Sequence, residues 1–152
     1  MQELTNILTH VVSADVKTAR ANILAVERLI QSLPTAVGPE DDLVPVKHSF
    51  GEGLYIRELF IPAGVVVVGV IHKYAHPYFL TEGEILVFTE LSGPQHLTAP
   101  ATGISQPGTK RVGISIRDTV WVTVHATTLT DPHEIMETLT VKSYEELEES
   151  ML

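Results

Sequence analysis

The chain has 152 residues, no cysteine and a formal net charge of −9. That length fits one domain, the missing thiols exclude a disulfide scaffold, a thiolate zinc site and a cysteine nucleophile, and the acidic balance argues against general nucleic-acid binding. With 44% apolar and 19% charged residues, the composition is that of a globular chain and not a disordered one. Met1–Asn6 has no basic region followed by an apolar run, and the longest apolar run, Val65 to Ile71, is too short to cross a bilayer as a helix. The expected location is cytoplasmic, with no membrane partner.

In chain order, residues 15–33 read as a helix. Val16, Ala19, Ile23, Val26, Ile30 and Leu33 recur at helical spacing on one stripe, Ser13 or Asp15 can cap the start, and Pro34 marks the stop. Leu4, Ile7, Leu8 and Val11 can continue the same face, so residues 1–34 form an N-terminal helical segment for packing or for subunit assembly. Residues 35–45 are a linker around Gly38 and Pro39. From Val46 to Ala126 the period changes to short β-branched and aromatic runs, separated by breakers at Pro62-Ala63-Gly64, Glu82-Gly83, Ser92-Gly93-Pro94, Pro100 and Pro107-Gly108. Many short strands at this pitch predict an antiparallel barrel or jelly roll, so the fold class is mainly β. Residues 127–152 return to helical signals: Asp131-Pro132-His133-Glu134 and Ser143-Tyr144-Glu145-Glu146 each read as a helix start.

The acid is unevenly spread. No acidic residue lies between Glu90 and Asp118, whereas Lys110, Arg111 and Arg117 all do, which permits a local site for a small anion despite the negative total. His10, His48, His96 and His133 fall in predicted termini, turns or helix starts and read as surface residues. His72 and His76 have the spacing of a helical zinc protease, but no Glu follows His72 and the context is strand. No Ser-His-Asp set, phosphate loop or dinucleotide fingerprint is present, so no nucleotide or flavin is implied.

Gly64, five residues on to Val70-Ile71-His72, then His76 and Gly83 resembles the first motif of the cupin family, with Val70 in place of its first histidine and His76 at its glutamate. The second motif is fainter: Gly108 matches, Pro107 is displaced by one, and Arg111 and Ser115 take its histidine and asparagine positions. More narrowly, His72-Lys73 with His76, Pro107 to Arg111 and Trp121 to His125 are similar to small cupin-like proteins encoded in phage and prophage genomes, which extends the expected location to the virion. The resemblance implies a cupin-type jelly roll with a pocket at one end and places His125, at the close of the final strand, near His76. It makes His72, His76 and His125 the candidate ligands of a divalent transition metal (zinc, iron, nickel, copper or manganese).

One pattern opposes that trio. His125 shares a strand face with Trp121 and Thr123, while Val120, Val122 and Val124 form the more apolar face; valines turned to the core would point His125 away. Arg111, with Lys110, Tyr78 and Trp121, is the candidate ligand-binding set, because a guanidinium binds a carboxylate or phosphate bidentately. Two functions follow. One is a pocket protein for a small anionic molecule, with binding favoured over catalysis by the altered ligand set. The other is a metal-free structural or interaction module that assembles through its N-terminal helix; a homo-oligomer suits either.

Overall fold

The computed structural model describes residues 15–38 and 41–152. The N-terminal expectations for Leu4, Ile7, Leu8, His10, Val11 and Ser13, and for linker residue Pro39, lie outside the described residues. Helix α1 spans Val16–Gln31. Its N-cap is Asp15, whose carboxylate accepts from the Thr18 backbone N–H at 2.9 Å.

The strands are β1 (Val46–Gly51), β2 (Leu54–Ile61), β3 (Val66–Val68), β4 (Ile71–His72), β5 (His76–Thr89), β6 (Gly93–Thr98), β7 (Ala101–Ser105), β8 (Arg111–Ala126) and β9 (Thr140–Val141). Helices α2 (Pro132–Leu139) and α3 (Tyr144–Ser150) flank β9. Seven strands form one antiparallel sheet, with β1-β2-β8-β5-β6 as its path, β3 added on β8 and β7 on β5.

Two strands are far longer than the sequence punctuation predicts. Glu82-Gly83, and Asp118, which before Thr119 reads as a turn residue, do not end strands; they bend them. The β5–β8 pairing shifts register between Leu80 and Ile85, and Gly83 there has φ 91°. A side chain on Gly83 would collide with the Asp118 carbonyl and Thr119, so the crossing needs glycine. Each long strand thereby serves two walls. His76 to Leu80 of β5 pairs with β7 and with the end of β8, while Glu84 to Thr89 pairs with β6 and with the start of β8. The folded-over sheet encloses a lumen whose apolar part holds Ile61, Leu80, Ile85, Val87 and Trp121.

Helix α1 lies outside the barrel. Ala19, Ile23 and Val26 pack on Phe88, Val112 and Ile114, covering one outer wall. The α1 stripe thus faces its own barrel, with Val16 and Leu33 left exposed. Among the described residues, no helix is long and apolar enough to cross a membrane.

Candidate metal centre

Three strands bring three histidines to one end of the lumen. Ile71 and His72 pair with Val141 and Thr140 of β9, and the His72 carbonyl accepts from the Gly108 N–H at 2.8 Å. The segment after the barrel therefore fixes the first histidine. His76 opens β5 opposite Ser105. His125 lies near the end of β8, paired with Tyr55 of β2.

From Thr119 to the end of β8 the buried residues are Thr119, Trp121, Thr123 and His125, and the half-buried ones are Val120, Val122 and Val124. The condition under which His125 would point away, valines turned to the core, is therefore not met. The lumen here is lined by polar and aromatic groups, while the valines cover the outside of the wall, where a β-branched side chain suits a pleated, half-buried surface.

The ring centroids lie 4.4 Å apart for His72–His76, 4.5 Å for His76–His125 and 5.3 Å for His72–His125. One nitrogen from each ring lies within 4.8 Å of the others. Hydrogen bonds orient two of the rings. His76 Nδ1 sits 3.2 Å from the Tyr74 carbonyl oxygen; a carbonyl only accepts, so Nδ1 carries the proton and Nε2 keeps its lone pair. His125 Nε2 contacts Thr123 Oγ1 at 3.0 Å, which leaves Nδ1 free.

All three rings are held neutral. Burial first, then the neighbouring imidazoles and the Arg57 and Arg111 charges, push His72 down to about 3. Burial, then His76 and Arg57, bring His125 to about 4. Burial also lowers His76. Neutral imidazoles with free lone pairs are the form a transition metal takes, and three of them leave coordination positions open. The donor set fits such an ion.

The other candidates divide. Arg111 reaches across the lumen: its guanidinium carbon lies 5.0 Å from both the Tyr78 and Trp121 ring centroids, and its Nη2 donates to Ser105 Oγ at 3.0 Å. Tyr78 and Trp121 stack on each other at 4.7 Å. Lys110 turns the other way, out of the lumen, and its Nζ donates to Glu27 of α1 at 3.0 Å.

The sequence reading missed Arg57. It lies on the same face of β2 as Tyr55 and pairs with Thr123, and its charge bears on His72 and His125. It also missed Tyr55, which stacks on His125 at 5.9 Å and shares a 2.6 Å hydrogen bond with His48 Nδ1. His48 itself is exposed.

Outside the trio is a cavity of about 350 Å³, walled by the three histidines with Tyr74, Ala75, Ala126 and Leu139. Arg111, Tyr78 and Trp121 stand behind the histidines and do not line it.

No protein-family model matches the sequence, and comparison with curated proteins finds no match. Solved structures do match. Ectoine synthase from P. lautus superposes with TM-score 0.54 at 16% identity, over 66% of this chain and 77% of that one. KdgF from Halomonas sp. gives 0.50 at 11% identity, over 59% and 84%. An RmlC-like cupin family protein with a double-stranded β-helix fold, from Methanocaldococcus jannaschii, gives 0.48 at 14% identity, over 59% and 85%. At these identities the likeness is one of fold. Taken with two bent strands shared between facing walls, the superposition on ectoine synthase shows that this chain is an antiparallel jelly-roll barrel with the same fold as that protein.

Proposed function

We propose that this protein binds a small anionic molecule in the mouth of its barrel, at a divalent transition metal held by His72, His76 and His125. One observation carries the reading: three neutral imidazoles converge to within 4.8 Å at the floor of a cavity. A bound ion supplies a Lewis-acidic charge to whatever group meets it. The chain's own residues do the rest. Tyr74 and Thr123 orient two of the rings, and Arg57 and Arg111 add positive potential behind them, a field that attracts an anion and is not neutralised by any carboxylate ion pair among the described residues.

The test is elemental analysis of protein purified without a histidine tag, expected to give about one transition metal per chain. His72→Ala should lose the metal and keep the far-ultraviolet circular dichroism of the parent. Full occupancy in that variant would refute the assignment.

The second reading, a metal-free interaction module, draws support from a different surface than the N-terminal helix. Helix α1 spends its apolar stripe on the barrel, whereas Phe60, Phe79 and Ile104 stand exposed on the uncovered outer wall of β2, β5 and β7. That wall supports self-association, which sedimentation equilibrium reads directly: a monomer at micromolar concentration removes it.

A further inference from the structure

The cavity that holds the candidate metal face is polar on one side only. Its floor is the three imidazoles; its remaining wall is Tyr74, Ala75, Ala126 and Leu139. No carboxylate, amide or hydroxyl except the Tyr74 phenol stands among these lining residues, so a polar ligand body would find no partners there and would lose its hydrogen bonds to water. The apolar wall is also built from fixed pieces. Leu139 ends α2, where its carbonyl accepts from the Lys73 N–H at 2.9 Å, which ties the helix end to the 73–75 connection that carries Tyr74. Ala126 closes β8 directly after His125. Tyr74 is 60% exposed, so its ring forms the outer rim.

Behind the floor stand two arginines that form no ion pair among the described residues, with Glu90 acting on Arg111 only from a distance. Arg57 and Arg111 act on His72 together, and Arg111 Nε is buried without a hydrogen-bond partner. A negatively charged head at the imidazole floor gains from this field, and a positive one is repelled.

We infer that the ligand is an amphiphilic monoanion: a small carboxylate whose head meets the histidine floor and whose hydrocarbon body fills the Tyr74–Leu139 wall. This names the ligand class of the pocket proposed above and rests on that proposal. At about 30 Å³ for each non-hydrogen atom, as for water, the 350 Å³ cavity has room for on the order of ten of them. Acetate leaves most of it empty, and a six-carbon chain or a benzene ring fills it.

The probes are acetate, butyrate, hexanoate and benzoate, with hexanamide as the uncharged counterpart, titrated calorimetrically into the full-length protein with its metal content measured. Each methylene buried against the wall should tighten binding about fourfold until the cavity is full, so hexanoate should exceed acetate by well over tenfold. Hexanamide should bind at least tenfold more weakly than hexanoate. Tyr74→Ala, a change at an exposed rim, should flatten the chain-length gradient from acetate to hexanoate. Leu139→Ala should do the same more strongly if α2 persists.

The failures are separable. Hexanoate binding no tighter than acetate overturns the apolar body while the anion pocket stands. Hexanamide matching hexanoate overturns the anionic head. A gradient untouched by Tyr74→Ala and Leu139→Ala overturns the placement of the body. No binding of any carboxylate to metal-loaded protein overturns the pocket reading itself.

Discussion

Lys110 and Arg111 are neighbours at the start of β8, and they carry the same charge into opposite surroundings. Lys110 turns outward beneath α1, into a balanced cluster. Its Nζ lies 3.0 Å from Glu27, its backbone N–H donates to both oxygens of Glu90 at 3.3 Å, and Arg20 approaches Glu90 at 4.0 Å while lying 4.4 Å over the Tyr144 ring. Two cations meet two carboxylates there, and the cluster links α1, the barrel and α3. Arg111 turns inward and forms no ion pair: its neighbours are a serine hydroxyl, two aromatic faces and the imidazoles of His72 and His76, and the Glu90 carboxylate acts on it only from a distance. Paired charge of this kind holds elements together. Unpaired charge, kept in place by rings and a hydroxyl, projects its field into the mouth, where a ligand can use it.

Among single substitutions, breaking the paired cluster should produce the largest effect. The Glu90 side chain is wholly buried, and Glu90→Ala strands the Lys110 N–H and leaves Arg20 without its carboxylate. The expected loss is about 3 kcal/mol, the scale of removing one partner from a buried pair, measured as a fall in the urea midpoint. A loss under about 1 kcal/mol would erase the distinction between the two sides of β8.

Acid probes the neutral side next. Unfolded histidines titrate near 6.5, whereas His72 and His125 stay neutral in the fold down to about 3 and about 4. Below pH 6.5 the unfolded chain therefore takes up protons that the native chain refuses, and stability falls with pH until the folded values are reached. The slope is about 1.4 kcal/mol per pH unit for each such histidine, so metal-free protein should lose about 2 kcal/mol per histidine by pH 5. His125→Gln should remove its share of that slope. A stability that stays flat from pH 7 to pH 5 would mean that the rings are not shielded as the geometry requires.

These contrasts were only partly readable beforehand. The glycine and proline breakers gave the barrel, because turns at Gly64 and Gly108 need the same residues that a sequence shows. Gly83 misled, since a bulge and a turn both use glycine at positive φ; only the partner strand reveals that β5 continues. The histidine trio could be reached from motif spacing, but the facing of His125 could not, because which side of β8 encloses the lumen is decided by its pairing with β2 and β5. Arg57 left no signal at all. The face it shares with Tyr55, Leu59 and Ile61 is as apolar as the opposite face with Leu54, Ile56 and Phe60, so an isolated arginine there looks like a solvent-facing charge.

Arg111 itself supplies a sharper test. Arg111→Met removes two cation–π contacts, each worth about 0.5–2 kcal/mol, and relieves the desolvation of an unpaired cation, so the two changes oppose each other. Metal-free protein should move by less than about 1 kcal/mol in stability while carboxylate binding weakens and loses salt dependence. A cost equal to that of Glu90→Ala would make Arg111 scaffold like its neighbour.

The smallest effect belongs to a charge pair that is neither buried nor aimed at the lumen. Lys47 and Glu58 face each other across β1 and β2 at 3.7 Å, with side-chain exposures of 74% and 38%. Water screens this pair, and holding a long lysine in one rotamer costs about what the attraction returns, so Lys47→Ala should change stability by less than about 0.5 kcal/mol and leave carboxylate binding untouched. The variant isolates burial as the variable: it removes a lysine–glutamate contact of the same chemistry as Lys110–Glu27, but one that lies open to solvent. A loss approaching that of Glu90→Ala would show that the ion pair alone, and not its desolvation, ties elements together here, and the contrast between Lys110 and Arg111 would then have to rest on something other than where each charge is buried.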